Sequence, residues 1–326
     1  MNVLVTGGAG YVGSVVVEVL LREGFNVVII DNLSEGHRKA VPDDVPLFVD
    51  DFGDRDKVKG VLSDYKIDAV VHMAGETLVS KSMTHPEDYF RVNVANGLEL
   101  LEAMREAGVK RILFSSTAAL FGNPEFIPIT EGHPTRPINA YGRSKLMFEE
   151  MLEWYHKAHG FNYMCLRYFN AAGATVEHGE DHRVETHLIP LVLKTALGKR
   201  EYIEIYGIDY DTKDGTCIRD YIHIEDLAVA HVEGLRRMDD LGPQKLNLGN
   251  GDGYSVREVI ETAREVTGRG IQVKEGQRRP GDPAILVASS EKAHKLLGLN
   301  PRYPSLRDII ESAWRWHSRY PNGYGD

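Results

Sequence analysis

The sequence predicts an α/β fold, a doubly wound parallel sheet followed by a smaller mixed α/β domain. Three observations carry that reading. Strand and helix signals alternate through the first half of the chain, the pattern of right-handed crossovers between parallel strands. The strands are unbroken apolar runs, as burial on both faces requires. The first strand also runs directly into a glycine-rich turn that opens a helix.

In order along the chain, residues 2–6 read as a buried strand, 7–13 as the turn and 14–23 as the helix. Residues 26–30, 47–49 and 69–73 supply three more strands. A long helix starts at Pro86 and stops at Gly108, because proline suits a first helical turn and glycine a helix end. Residues 111–115 form the fifth strand. The helix at 140–159 puts Leu146, Met147, Met151, Leu152 and Tyr155 on one side, and 163–167 is the sixth strand. Beyond residue 170 the pattern loosens. Gly, His, Glu and Asp crowd into 173–186, a helix follows at 188–197, and 198–221 is rich in turns. A helix at 224–238 and an apolar run at 245–248 return to the earlier style and are expected to rejoin the first domain. Two or three short helices occupy 255–320. The expected division is 1–170 for the first domain, with 224–248 rejoining it, and 171–326 for the second.

Composition narrows the function classes. A chain of 326 residues holds one large and one smaller domain. With 42% hydrophobic and 26% charged residues it is neither disordered nor fibrous. Lys and Arg number 38 against 48 Asp and Glu, a net charge of -10, which is the wrong sign for a general nucleic-acid binder. An anionic ligand must therefore be met by a few placed cations. No apolar run nears the roughly 20 residues that cross a bilayer, and the first residues read as a strand, so no membrane partner and a cytoplasmic location are expected. Cys165 and Cys217 are too few for a zinc site or a disulfide framework; no metal is expected.

The turn is Gly7-Gly8-Ala9-Gly10-Tyr11-Val12-Gly13. A turn without side chains admits a pyrophosphate, and the helix behind it offers free N–H groups and partial positive charge. Asp31 ends the second strand, where a carboxylate accepts hydrogen bonds from ribose hydroxyls and repels a 2′-phosphate, favouring NAD over NADP. Asp51-Phe52 follows the third strand and suits the adenine amino group and ring. Tyr141 and Lys145 are four residues apart on one helix face. An ammonium near a phenol favours the phenolate and makes a base of it. Thr117, past the fifth strand, adds a hydroxyl for the same substrate oxygen.

With these residues in place the chain resembles the extended short-chain dehydrogenase/reductase superfamily, and within it the UDP-glucose 4-epimerase family. The likeness covers nearly the whole sequence. It runs through residues 6–14, Asp31-Asn32-Leu33, His72-Met73-Ala74-Gly75, Phe114-Ser115-Ser116-Thr117, Tyr141 to Lys145 and Leu166-Arg167-Tyr168-Phe169-Asn170. It continues in Asp214-Gly215-Thr216, Arg219-Asp220-Tyr221-Ile222-His223 and Arg278-Arg279-Pro280-Gly281-Asp282-Pro283. The resemblance implies a Rossmann-type first domain holding NAD and a second domain holding a UDP-sugar. UDP-galactose and UDP-glucose would interconvert by oxidation at C4, rotation of the 4-ketose and return of the hydride.

The same resemblance assigns residues. Tyr141 takes the proton of the sugar 4-hydroxyl, Lys145 binds the nicotinamide ribose and depresses the phenol pKa, and Thr117 orients the 4-oxygen. Around NAD it places Gly7, Gly10, Tyr11, Val12 and Gly13 from the turn, and Asp31, Asn32, Leu33, Ser34 and Gly36 from the second strand onward. It adds Asp51, Phe52, Met73, Ala74, Gly75, Thr77, Asn93, Ser115 and Phe169. Around the UDP-sugar it places Asn170, Leu188, Tyr206, Arg219, Arg279, Asp282 and Leu286. Two guanidinium forks suit a diphosphate. Some relatives carry Lys where Thr77 stands, so Lys81 is a substitute for that charge. Leu286 stands where some carry Tyr, which leaves room for an N-acetylated sugar. The resemblance further implies a homodimer through the helices at 88–107 and 140–159, paired as a four-helix bundle.

Rival readings separate on residues. A nucleotide-sugar 4,6-dehydratase needs an acid and a base directly after the catalytic hydroxyl, whereas Thr117 is followed by Ala118-Ala119. UDP-pentose, UDP-uronate and UDP-N-acetylhexosamine 4-epimerases stay open. A non-catalytic NAD-binding regulator needs neither the tyrosine nor the lysine, and both are present.

Overall fold

A computed structural model describes residues 1–279 and 282–325; Pro280 and Gly281 of the C-terminal motif lie outside them. The first half contains β1 (Asn2–Thr6), α1 (Tyr11–Arg22), β2 (Asn26–Ile30), β3 (Leu47–Phe48), α2 (Arg55–Asp64), β4 (Ala69–His72), α3 (Val79–Ser82), α4 (Pro86–Tyr89), α5 (Gly97–Ala107), β5 (Arg111–Thr117), α6 (Ala140–His159) and β6 (Asn162–Tyr168). The rest contains β7 (Asn170–Ala172), α7 (Leu188–Ala196), β8 (Ile203–Tyr206), β9 (Ile218–His223), α8 (Ile224–Leu241), β10 (Gln244–Leu248), β11 (Gly253–Ser255), α9 (Val256–Thr267), β12 (Val273–Gly276), β13 (Ile285–Leu286), α10 (Glu291–Leu297) and α11 (Leu306–Arg319).

Seven parallel strands form the main sheet in the order β10-β6-β5-β4-β1-β2-β3. The pleat sends Val3 and Val5 of β1 to one face and Leu4 to the other. Val3 and Val5 join a core cluster with α1 and α8, and Leu4 joins one with residues of α2, α5 and α6. The chain winds from β1 outward to β3, then crosses back to β4 on the other side of β1. That reversal between β1 and β4 is the switch point, where the carboxyl ends of the strands leave a crevice. β10 and the preceding α8 come from the second half of the sequence, and β10 pairs with β6 at the edge of the main sheet.

The second half adds a small mixed sheet, in which β9 pairs with β7, β11 and β13, and a separate β8–β12 ribbon. A third core cluster beneath α7, α9 and α11 holds these together. Two local readings are corrected. Helix α1 starts at Tyr11, three residues before the expected 14, so Tyr11, Val12 and Gly13 form its first turn. The stretch 198–221 is not only turns: it contains β8 and the start of β9. β8 pairs with Val273–Gly276, far along the chain, so no local pattern marks it. The helix from Pro86 to Ala107 is interrupted by a π-helical segment, Phe90–Asn96, which turns Asn93 inward to 4% exposure.

Glu149 of α6 is fully buried and forms a paired hydrogen bond with Arg167 of β6, at 3.0 and 2.7 Å. Ser116 of β5 donates to the same carboxylate at 2.6 Å, and Lys245 of β10 lies 3.4 Å from it. Burial alone would raise this carboxyl, but the hydrogen bonds and charge of Arg167, with Ser116 and Lys245, hold it below the ordinary value. A carboxyl depressed in the folded state stabilises above the ordinary carboxyl range and loses that effect as pH falls through its folded pKa. Glu149→Gln is therefore expected to cost about 3–5 kcal/mol at neutral pH, the loss for a broken buried pair, with the deficit shrinking on acidification below the ordinary carboxyl range. Urea unfolding of both proteins at pH 7 and at acid pH checks this; a neutral-pH loss under about 1 kcal/mol, that of an exposed pair, would show the network to be dispensable.

Candidate active site

The crevice at the switch point is one cleft of about 520 Å³. Its floor is the glycine turn. Gly7 has φ +76°, and a Cβ there would sit 2.6 Å from the Ala74 nitrogen. A Cβ on Gly13 would sit 2.0 Å from the Gly7 oxygen. The protein's own packing thus excludes side chains at both positions. Gly10 is different. Its φ is -79°, open to any residue, and a Cβ would meet nothing nearer than the Gly7 oxygen at 3.5 Å. Nothing in the protein crowds a side chain at position 10, so the turn is open on that side. Gly10 caps α1 with no side-chain hydrogen bond, and no acid occupies the first helical turn. The helix N-terminus is left for an anion.

Asp31 sits where β2 meets the cleft. Its carboxylate accepts the Ala9 and Leu33 backbone N–H groups at 2.9 and 2.8 Å. Burial raises its pKa, and these two donors oppose the rise. The residue therefore both ties the glycine turn to the β2 loop and faces the cleft. Phe52 is buried against the sheet and also lines the cleft, while the Asp51 carboxylate accepts Gly53 N–H at 2.7 Å. Gly13, Tyr11, Val12, Asn32, Ser34, Gly36, Met73, Ala74, Gly75, Thr77, Ser115 and Phe169 all line it, as expected.

Tyr141 and Lys145 project from the first turns of α6, whose start is fixed by Asn139 accepting the Gly142 N–H at 2.8 Å. Thr117 is the last residue of β5, and its hydroxyl oxygen accepts the Ala119 N–H at 3.1 Å. Burial raises the Tyr141 phenol, opposed by a hydrogen bond with Thr117. Burial brings Lys145 down to about 8. Its Nζ donates to the Ser115 carbonyl at 3.0 Å and lies 4.8 Å from the Phe114 ring centre. In the protein alone, burial is the larger influence on the phenol.

The opposite wall comes from the second half of the chain. Asn170, Leu188, Tyr206, Arg219, Arg279 and Asp282 line it. Arg219 of β9 donates to the Ile218 and Pro283 carbonyls at 2.9 and 2.8 Å and lies 3.6 Å from Asp282. Arg279 stacks over Tyr206 at 3.8 Å. Its neighbour Arg278 instead pairs with Asp209 at 2.7 Å. Asn170 donates to the Asp220 carbonyl at 2.8 Å.

Three assigned residues stand behind the cleft wall. Leu33 packs toward the first core cluster. Asn93 bridges, accepting Glu76 N–H at 2.8 Å and donating to the Glu76 carbonyl and the Ser144 hydroxyl at 3.0 and 2.9 Å; it shapes the Gly75 turn from below. Leu286 packs against the cluster that contains Phe121 and Ile129 and that Phe169 also joins. Thr77 lines the cleft, whereas Lys81 pairs with Glu76 and Asp88 at 3.0 and 3.5 Å and does not replace a cofactor-facing charge. The sequence reading missed Tyr168, Arg200 and Tyr221, and the acid–histidine group Glu180, His182 and His187, all on the cleft. Only the crowding of His and Glu at 173–186 signalled that group.

A tyrosine–lysine pair at the mouth of a dinucleotide crevice, on a sheet of this order, is the arrangement of a short-chain dehydrogenase-type enzyme. The model of the NAD dependent epimerase/dehydratase family matches residues 3–249. The chain belongs to that family. It is 50% identical over 329 aligned positions to the UDP-glucose 4-epimerase of Halalkalibacterium halodurans, covering 99% of this chain and 98% of that protein. A crystal structure of a UDP-glucose 4-epimerase superposes with a TM-score of 0.96 at 49% identity, covering 99% of both chains. The Bifidobacterium longum enzyme, solved in complex with NAD+ and UDP, superposes with a TM-score of 0.94 at 37% identity, covering 99% of this chain and 100% of that one.

The two glycines make opposite predictions. Gly13→Ala forces turn and helix apart and is expected to lower stability by about 1–3 kcal/mol. Gly10→Ala is expected to leave stability within about 0.5 kcal/mol, as for an uncrowded surface site, while weakening NAD binding at least tenfold. Thermal unfolding and cofactor titration check both; unchanged NAD affinity in Gly10→Ala would refute the cradle.

Proposed function

We propose that this protein interconverts UDP-galactose and UDP-glucose as an NAD-dependent 4-epimerase. One observation carries the reading. Tyr141 and Thr117 line one cleft together with the glycine turn on one side and Arg219 and Arg279 on the other. A ligand anchored in each half brings its reacting atoms to that pair. When bound, NAD accepts the hydride of sugar C4 and returns it.

The chain's own residues do the rest. Tyr141 removes the 4-hydroxyl proton and gives it back to the 4-oxygen, and Thr117 hydrogen-bonds that oxygen in both directions. Lys145, cationic below its pKa of about 8, holds the cofactor ribose and stabilises the phenolate. Arg219 and Arg279 hold the diphosphate of the UDP-sugar while the 4-ketose turns over and presents its other face. Asn170, Leu188, Tyr206 and Asp282 complete that half. Gly7, Gly10, Tyr11, Val12, Gly13, Asp31 and their neighbours on the floor hold NAD, with Asp31 selecting against a 2′-phosphate. Ala118 and Ala119 supply no acid or base, so the reaction stops at epimerisation.

Residues 1–170 with 224–248 form the NAD-binding unit and 171–326 the UDP-sugar-binding unit in this reading. Incubation with UDP-galactose and no added NAD is expected to yield UDP-glucose, because the cofactor is regenerated. Tyr141→Phe should cut kcat by about 10²–10⁴-fold, the usual contribution of a positioned acid–base group, with NAD still bound. No conversion by NAD-loaded protein, or wild-type rates in that variant, would refute the reading.

The working form is a cytoplasmic homodimer. Both cysteines are free and buried, which suits a reducing compartment, and among the described residues no helix is long and apolar enough to cross a membrane. Phe90, Leu98 and Trp154, on the π-helical segment, α5 and α6, leave apolar surface exposed, Trp154 at 67%, and this supports pairing through those helices. Sedimentation is expected to give twice the chain mass for the wild type and a single chain for Trp154→Arg; a monomeric wild type would exclude the dimer.

A further inference from the structure

Glu180, His182 and His187, on the wall of the cleft, come together with Glu185 just before α7. One ligand atom from each lies within 4.8 Å of the others. The His187 Nδ1 is 2.9 Å from Glu180 and 3.1 Å from Glu185. The His182 Nδ1 is 3.2 Å from Glu185 and 3.5 Å from Glu180. Each imidazole nitrogen therefore faces both carboxylates, and the four groups converge on one point. A proton bridges one donor and one acceptor; an ion occupies the point where four donors meet. A tetrahedron with bonds of about 2.0–2.1 Å has edges of roughly 3.3 Å; the four imidazole–carboxylate contacts, which use both oxygens of Glu185, lie near that length, so a small rotation of the Glu185 carboxylate completes the site.

The charge balance agrees. The side chains of Glu180 and Glu185 are only 5% and 4% exposed, and a buried carboxylate requires a cation. Among the described residues no Lys or Arg pairs with either one. The Glu185 carboxylate is preset by the Thr186 and His187 backbone N–H groups, both at 2.8 Å. A divalent ion neutralises the two carboxylates, replacing two protons on the imidazoles one for one in charge.

We propose that Glu180, His182, Glu185 and His187 form a tetrahedral site for a borderline divalent transition-metal ion, zinc first. The two-nitrogen, two-oxygen donor set suits Zn²⁺ and not Mg²⁺ or Ca²⁺, which take oxygen ligands at higher coordination. All four positions are filled by protein, as in a structural site. The ion's place explains its use. The His182 ring meets Tyr11 edge-on at 6.0 Å between centres, and Arg183 donates to the Ser34 carbonyl at 2.9 Å. The metal fastens this segment across the NAD half of the cleft and sets the start of α7, which carries Leu188 into the sugar half. The sequence reading expected no metal; its cysteine argument did not weigh this histidine–glutamate set.

Untagged wild-type protein, stripped by a chelator and given equimolar Zn²⁺, is expected to retain one ion per chain after dialysis and to gain thermal stability. Co²⁺ in its place should give the intense visible bands of a tetrahedral centre, which tests the donor set without any substitution. His182→Ala and Glu185→Gln should each lose the ion and the Zn²⁺-dependent Tm gain while keeping wild-type far-UV circular dichroism. A wild type that retains no Zn²⁺ and shows no cobalt spectrum overturns the proposal. So does an ion that both variants retain.

Discussion

The buried carboxylate of Glu149 is the constraint on which the rest of the site depends. A charge at 0% exposure is tolerable only if its partners are held in place, and those partners come from β5, β6 and β10. The paired geometry with Arg167 leaves little freedom for sliding or rotation. Glu149 lies one helical turn beyond Lys145 and two beyond Tyr141, on the same face of α6. Fixing it therefore fixes the height of the phenol and the ammonium against Ser115 and Thr117. Tyr141 and Lys145 owe their position to an ion pair set back from the cleft lining.

The ligands are met by local devices because the chain as a whole repels anions. Its net charge is -10, so in the proposed reading attraction comes from a helix N-terminus without a side-chain cap on one side and two guanidinium groups on the other. The contrast between Arg278 and Arg279 shows how selective this is. Adjacent in sequence, one neutralises Asp209 and the other stacks on Tyr206 at the cleft. The glycines divide in the same way. Gly7 and Gly13 are closed in by the protein's own backbone, and Gly10 is open to the cleft.

These divisions explain what the sequence could and could not tell. The main sheet was legible because most of its strands are local apolar runs, with a helix following β1, β3, β4 and β5. The short strands β7, β8, β11 and β13 were not, since each is defined by a partner elsewhere in the chain. Tyr141, Lys145 and Thr117 were legible because helix spacing and a strand end determine where they point. Leu33, Asn93 and Leu286 matched family motifs yet stand behind the wall, because a motif records which residue recurs and not which way it faces. The spacing of Glu180, His182, Glu185 and His187 fits no regular helix or strand. Only an irregular loop brings their ligand atoms to one point, so the sequence showed crowding and no site.

The electrostatic state of the pair is the remaining step. Burial pushes the Tyr141 phenol up and the Lys145 ammonium down to about 8, and both changes disfavour charge. At neutral pH the lysine is nonetheless protonated and the phenol neutral. The protein by itself therefore holds an acid at this position, and it becomes a base only when further positive charge enters the cleft. A phenolate of too low basicity would take the 4-hydroxyl proton poorly, and one of too high basicity would return it poorly. A reaction whose two directions differ only in which face of C4 is presented needs the proton to be shared almost evenly between phenol and sugar. The same burial that raises Tyr141 keeps that exchange reversible, and the anchoring of α6 through Glu149 keeps its geometry the same in both directions.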